Sequence, residues 1–280
     1  MKFKSIFILF NIVIILSFCF VFAMPFFALG PEFALKFWTT SWPLGLLLLV
    51  ILAGFDSFFI INLKIFELLE REDWPALVQY LEDRVIKQHR YSQRLVKLLI
   101  HSYLVMSDPQ SVINLETLLK KDKPKLLAAN SLLFGISHVL KGDHAGAVNL
   151  FLEQEKIGGL KNEWEQWYLC FALLLQKRFT EAADRLIGLA QNGKDSLVCA
   201  LSALFLWDTI QNAVPEKAEA AKSAAERAKT RIKKALPDLR AWNKELGKAQ
   251  GEIQVIILGK SLQDAGRFIY EEEQQHANVQ

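Results

Sequence analysis

Leu132-Leu133-Phe134-Gly135, then Gly142-Asp143, then Ala147 and Phe151, closing at Gly158-Gly159, is one unit of this chain. The next stretch writes it again: Trp167-Tyr168-Leu169-Cys170, then Lys177-Arg178-Phe179, then Ala182 and Leu186, closing at Asn192-Gly193. Ala147 to Ala182, Phe151 to Leu186 and Gly158 to Gly193 are each 35 residues apart. A fixed period of this size, carried by an apolar helical stretch, a tight turn and a second such stretch, marks a stack of helix pairs. One pair cannot bury its own apolar face, so neighbours must cover it.

Outward from this core the same reading continues. Helices are expected over 75–88, 92–106, 110–121, 125–140, 144–156, 162–176, 180–191, 195–213 and 216–235, with one or two more ending near Tyr270. Asp108-Pro109, Lys123-Pro124, Gly142-Asp143 and Gly193 punctuate them. No alternating strand pattern stands out, so the fold class expected is all-α. The 280 residues are 52% hydrophobic, above the usual soluble share, and the excess lies at the N-terminus.

There, no charged residue occurs from Ser5 to Pro31, nor from Phe37 to Phe55. Each run is long enough to cross a bilayer core, which takes about 20 helical residues. The first run is longer than the apolar part of a signal peptide, so two uncleaved spans are expected, over 5–29 and 43–63. Gly30-Pro31 breaks the first, and Trp42-Pro43 opens the second. Lys2 and Lys4 precede the pair; Lys64, Arg71, Arg84, Lys87 and Arg90 follow it; the loop holds only Lys36. By the positive-inside rule both termini are expected in the cytoplasm, with the chain multi-pass in a bacterial inner membrane. Asn11 and Asp56 interrupt the spans at nearly the same depth and are read as an intramembrane polar pair. An intramembrane carboxylate also raises partner binding or ion handling.

The repeat resembles the tetratricopeptide family, in which a small residue of the second helix permits close approach and a large one four residues later fills the space. The small positions are Ala76, Ser111, Ala147 and Ala182; their large partners are Tyr80, Leu115, Phe151 and Leu186. Gly135 matches the family's first-helix glycine, while Lys64, Leu99 and Cys170 stand there in the other units. Two spans followed by such repeats are also similar in layout to HemY-type bacterial membrane proteins. The domains expected are a hairpin over 1–64, a repeat domain over 65–213, capping helices over 214–270 and a polar tail over 271–280.

The resemblance implies a groove lined by first helices and filled by a helix or peptide of another protein. Its candidate residues are Tyr103, Leu132, Ile136, Trp164, Trp167 and Phe171; burial by neighbouring helices is the alternative for each. The apolar segment 253–262 must also pack somewhere, and Trp164, Trp167 and Phe171 offer it a stripe. The helix over 216–235 carries a basic stripe (Lys222, Lys229, Lys233, Lys234) and is expected to be a solvated cap or a contact for anionic lipid.

Chemistry is sparse. There is no phosphate-binding glycine loop, no metal-spaced His/Cys pair and no nucleophile elbow, and the net charge of +3 is too small to argue for nucleic acid. Three scattered cysteines imply no disulfide framework. No enzyme, cofactor or metal site is therefore expected. The function expected is a membrane-anchored scaffold or adaptor with a cytoplasmic groove. A periplasm-facing envelope scaffold or assembly factor is the alternative, and an ion-handling membrane protein using Asp56 a third.

Overall fold

The computed structural model describes residues 3–160 and 162–277 and contains helices and turns with no strand among them. The chain divides into two compact units, Met1–Gln88 and His89–Gln280.

The first unit holds α1 (Phe3–Leu29), α2 (Pro31–Glu70) and α3 (Trp74–Glu82), the last continued by a π-helical turn, Asp83–Lys87. Among the described residues, two helices are long and apolar enough to cross a membrane, Phe7–Leu29 and Pro31–Glu70. Their large side chains are mostly exposed, unlike those of a core helix in a soluble domain. Only Gly30 separates α1 from α2, so the loop expected over residues 30–42 is helical instead. Pro31 occupies the first helical turn, where its missing N–H costs nothing, and Gly30 supplies the positive φ of 87° that turns the chain. Pro43 lies inside α2 rather than starting it. The division expected after Lys64 also falls within α2, which runs unbroken to Glu70. Lys2 lies outside the described residues.

α1 and α2 pack as an antiparallel hairpin. Phe7 stacks on Phe59 at 3.8 Å, and Phe22 stacks on Trp38 at 3.8 Å. The Trp38 indole N–H donates to Phe22 O at 3.3 Å. The polar pair expected at Asn11 and Asp56 is not joined by a hydrogen bond. Asn11 Nδ2 donates to Phe7 O at 3.1 Å, one turn back in its own helix, and Asp56 Oδ1 is enclosed without a hydrogen-bond partner. The short Asn side chain reaches its own helix's carbonyl first.

In the second unit, α4 (Gln93–Val105), α5 (Pro109–Asp122), α6 (Pro124–Ala129), α7 (Ser131–Lys141), α8 (His144–Gly158), α9 (Glu163–Leu175), α10 (Phe179–Asn192) and α11 (Ser196–Phe205) follow one another. α11 passes through a π-helical turn, Leu206–Ile210, into α12 (Gln211–Ala213), and a 3₁₀ turn, Pro215–Lys217, leads to α13 (Ala218–Ala235). α14 (Leu239–Lys248), α15 (Ile253–Ile257) and α16 (Gly259–Ala277) complete it. The helix expected over 125–140 is broken at Asn130, whose Nδ2 donates to Leu126 O and ends α6. Each helix packs on the next from α7 to α11, and alternate helices also pack, α5 on α7, α7 on α9 and α9 on α11. That double contact is what a stack of helix pairs makes.

One turn recurs. Glu72, Ser107, Gly142 and Lys177 all have positive φ, between 53° and 80°, and lie 35 residues apart. Each donates its N–H three residues back, to the carbonyls of Leu69, Leu104, Val139 and Leu174. The following residues, Asp73, Asp108, Asp143 and Arg178, donate five back, to Leu68, Tyr103, His138 and Leu173. This is the Schellman closure of a helix C-terminus, made four times. Asp73, Asp108 and Asp143 then cap the next helix, accepting from the N–H groups of Ala76, Ser111 and Gly146.

This register corrects three packing assignments, Ala76, Ser111 and Tyr80. Five residues after each turn stand Leu77, Val112, Ala147 and Ala182, all fully buried, whereas Ala76 and Ser111 are not. In the first unit the large partner is the buried Leu81 and not the half-buried Tyr80; Leu115 is buried as expected. The expectation failed because it demanded a small residue in every unit. A small side chain is needed where a ring crosses, as Phe151 does: a Cβ on Gly135 would lie 2.0 Å from Phe151 Cζ.

The C-terminal helices differ from a solvated cap. α13 buries Ala221, Ala224, Ala225, Ala228 and Ile232 against α10 and α11. Lys229, expected on the solvated stripe, is buried with Nζ 4.6 Å from the Phe268 ring centre. α16 packs on α11 and stays helical through Ala277, so the tail expected from residue 271 is helical over 271–277, in a run of good helix formers.

Candidate functional site

The six groove residues lie deeper than a binding surface. Ile136 and Tyr103 are buried, Trp164 is nearly so, and Trp167 is 1% exposed; only Leu132 and Phe171 are half-buried. For Ile136, Trp164 and Trp167 the cause is the packing of α7 on α9 and of α9 on α11, which encloses these side chains between neighbouring helices. Trp167 lies 5.2 Å from Phe171 and 5.6 Å from Phe205 between ring centres, so α11 covers the stripe. The segment 253–262 joins the same core through Val255, Leu258 and Leu262, and the Tyr168 hydroxyl donates to Gln254 O at 3.5 Å. Burial raises the Tyr168 phenol far above its ordinary range. The Trp164 indole donates to Asp195 Oδ2 at 2.9 Å, on the wall of an open cleft of about 460 Å³ that Glu245, Lys248 and Glu252 also line.

What remains exposed on the first helices follows the repeat. Val105, Leu140 and Leu175 stand two residues before the left-handed turns of α4, α7 and α9, at steps of 35, and are 51%, 47% and 40% exposed. Met106, beside Val105, is exposed too. A large aliphatic left in water at the same place in three consecutive units is a surface feature of the stack. Sequence reasoning missed it because the groove positions were counted from the small residue and not from the turn. The 35-residue step itself was the available signal.

Polar side chains clamp the units together. His138, on α7, is buried between two carboxylates: Nε2 lies 2.8 Å from Glu116 Oε2 of α5, and Nδ1 lies 2.8 Å from Asp143 Oδ2. Burial disfavours its charge, but the two carboxylates outweigh this and raise its pKa above 6.5. Asp143 is held below its ordinary value first by the Gly146 N–H and then by His138. The buried Glu165 accepts from Ser131 Oγ at 2.6 Å across the α7–α9 contact and completes a capping box with Asn162. Cys170 and Cys199 are buried thiols whose pKa values burial pushes up to about 12 and about 11. No group of three or more His, Cys, Asp or Glu among the described residues is arranged to hold a metal.

A family model described as "Uncharacterised Treponema protein" matches residues 111–271, more than half of the chain. The chain belongs to this family. The matched region runs from α5 into α16 and so lies wholly within the second unit, holding two of the three exposed aliphatic positions, Leu140 and Leu175. An uncharacterized protein of Treponema pallidum (strain Nichols) is 25% identical over 246 residues, which are 83% of this chain and 77% of that protein.

Proposed function

We propose that the protein is a membrane-anchored scaffold or adaptor, in which two spans hold a tetratricopeptide-like stack at a bacterial inner membrane with both termini in the cytoplasm. The observation that carries this reading is the exposed aliphatic series Val105, Leu140 and Leu175, repeated at the end of three first helices in a body tethered to two apolar helices. Isolated exposed aliphatics are ordinary, but a periodic series along stacked units is how helical-repeat proteins present a docking line to a partner helix or peptide. The binding line thus shifts from the buried stripe at Trp164 and Trp167 to the turn-side ends of the first helices, where the half-buried Phe171 stands one turn before Leu175.

Affinity capture of the detergent-solubilised full-length protein tests it, with Leu140→Asp/Leu175→Asp as the comparison. The expected result is a discrete partner lost in the double variant while the helical circular-dichroism signal is kept. An unchanged partner set would refute the docking line. Reporter fusions at the C-terminus test the orientation: activity of a cytoplasmic reporter is expected, and activity of a translocated reporter alone would place the stack on the other face, as an envelope scaffold.

A further inference from the structure

Cations edge the exposed line Val105, Leu140 and Leu175. Lys141 follows Leu140 in the chain, and Lys177 is the left-handed residue two places after Leu175; both are exposed. Neither meets a carboxylate among the described residues, and the Lys141 ammonium donates to the Gln110 amide oxygen. The carboxylates of the same turns are taken. Asp108 accepts from Ser111 N and Oγ, Asp143 accepts from Gly146 N and bonds His138, and Glu181 pairs with Arg178.

The α4 end of the line is basic as well. Arg94, Lys97, His101 and Val105 follow one another at steps of three and four, which is one face of α4, and that helix contains no Asp or Glu. Arg94 and Lys97 are exposed and have no carboxylate partner among the described residues. Burial, and then the neighbouring Lys97, lower the pKa of His101, so the charge of this face is that of Arg94 and Lys97. α5 and α6 pack on α4, but Glu116 is bonded to His138 and Asp122 accepts from Tyr91. The line therefore has uncompensated positive charge along its turns and at its α4 end.

The spacing of the line selects a conformation. Leu140 and Leu175 hold the same place in two helices that pack on each other, and packed helices lie about 8–10 Å apart. An α-helix laid across them returns a side chain to one face every seven residues, a rise of about 10.5 Å. A β-strand returns one every two residues, at about 6.6 Å, or every four, at about 13 Å, and neither matches. A polyproline helix repeats at about 9.3 Å, but aromatic-lined grooves recognise it, and the exposed side chains here are aliphatic.

We propose that the occupant of this line is an acidic amphipathic helix of another protein. It lies across α7 and α9, with aliphatic side chains seven residues apart on Leu140 and Leu175. Its Asp and Glu residues flank that stripe, toward Lys141 and Lys177 along the turns and toward Lys97 and Arg94 at the α4 end. The inference rests on the docking line argued above and adds the partner's conformation and charge. Apolar burial holds such a helix, while the surrounding cations speed its encounter and repel a basic one.

The test uses the full-length protein in zwitterionic lipid nanodiscs and three labelled peptides. Two are amphipathic helices of about 20 residues with leucine at seven-residue intervals, differing only in their flanks, glutamate in one and lysine in the other. The third is proline-rich with leucine at every third residue. Fluorescence anisotropy at low salt is expected to show the glutamate helix bound about ten-fold more tightly than the lysine helix, a difference that closes in high salt. Lys141→Glu/Lys177→Glu should remove or invert the preference. Leu140→Asp/Leu175→Asp should abolish binding of the glutamate helix while the helical circular-dichroism signal is kept. Equal binding of the two helices, a preference that survives the charge reversal, tighter binding of the proline-rich peptide, or no binding of the glutamate helix overturns the proposal. The docking line is judged separately. A captured partner lost in Leu140→Asp/Leu175→Asp, with no binding of the glutamate helix, keeps the line and removes this occupant. Glutamate-helix binding that ignores Leu140→Asp/Leu175→Asp removes both.

Discussion

Gly135 to Ala is the smallest change that tests the helix-pair packing. Gly135 of α7 and Phe151 of α8 are both fully buried, and a Cβ at 135 would sit 2.0, 2.4 and 2.9 Å from three atoms of the Phe151 ring. Ordinary contact begins near 3.4 Å, so the ring must retreat by about 1.4 Å into a filled core. Overpacking of this kind costs about 1–3 kcal/mol, and a contact this close belongs at the upper end. Replacing a helical glycine by alanine returns about 1 kcal/mol, leaving a net loss of about 2 kcal/mol. For a domain this large that is a fall in Tm of about 4–8 °C. Gly188 of α10 is the control, because a Cβ there meets nothing within 4 Å; Gly188→Ala should raise Tm by a few degrees. In a Phe151→Leu background the Gly135→Ala step should cost nothing, and the cycle isolates the contact. Thermal melts of purified full-length protein in detergent, followed by tryptophan fluorescence, read all the variants. If Gly135→Ala behaves like Gly188→Ala, α7 and α8 do not pair through the Gly135–Phe151 contact and the reasoning fails.

Other outcomes follow from the same geometry. Ala147→Leu and Ala182→Leu should each cost about 1–3 kcal/mol in the same melts, since both sites are fully buried and flanked by large side chains. Ser107→Gly and Lys177→Gly should each stabilise by about 0.5–1 kcal/mol by relieving a positive φ, while Gly142→Ala should lower Tm. The Glu116–His138–Asp143 bridge should make stability pH-dependent in two directions. Because the folded pKa of His138 is raised, its contribution is full below 6.5 and is lost as pH rises through the folded value. Because that of Asp143 is lowered, its contribution is full above 3.8 and is lost as pH falls through the folded value. The Tm deficit of His138→Gln should therefore be largest at about pH 5 and shrink on the alkaline side; a deficit independent of pH would mean that His138 acts by packing alone.

Much of the fold is legible because it repeats. The offset of 35 between Ala147 and Ala182 is written in the sequence, and the structure extends it to the turns at 72, 107, 142 and 177. Three of those turn residues are Glu, Ser and Lys, which seldom adopt positive φ. No composition rule marks them, and without them the first two units read one residue out of place. Pro43 misleads in the opposite sense: it looks like the start of the second span, yet it is carried inside α2, whereas the break expected at Gly30-Pro31 is where α1 ends and α2 begins. The buried stripe at Trp164, Trp167 and Phe171 is visible as a stripe, but the sequence does not say that α11 lies over it. A heptad-like face has the same spacing whether it meets a partner or its own chain.

The central claim is that the exposed ends of the first helices bind another protein at the membrane, and site-specific photocrosslinking in the native organism tests it most directly. A crosslinking amino acid at Leu140 or Leu175 should give a discrete higher-mass adduct in the membrane fraction. At Ile136, one turn away but fully buried, it should give none. Adducts at Ile136 equal to those at Leu140, or no adduct at Leu140 and Leu175 while the protein is membrane-bound and folded, would contradict the account.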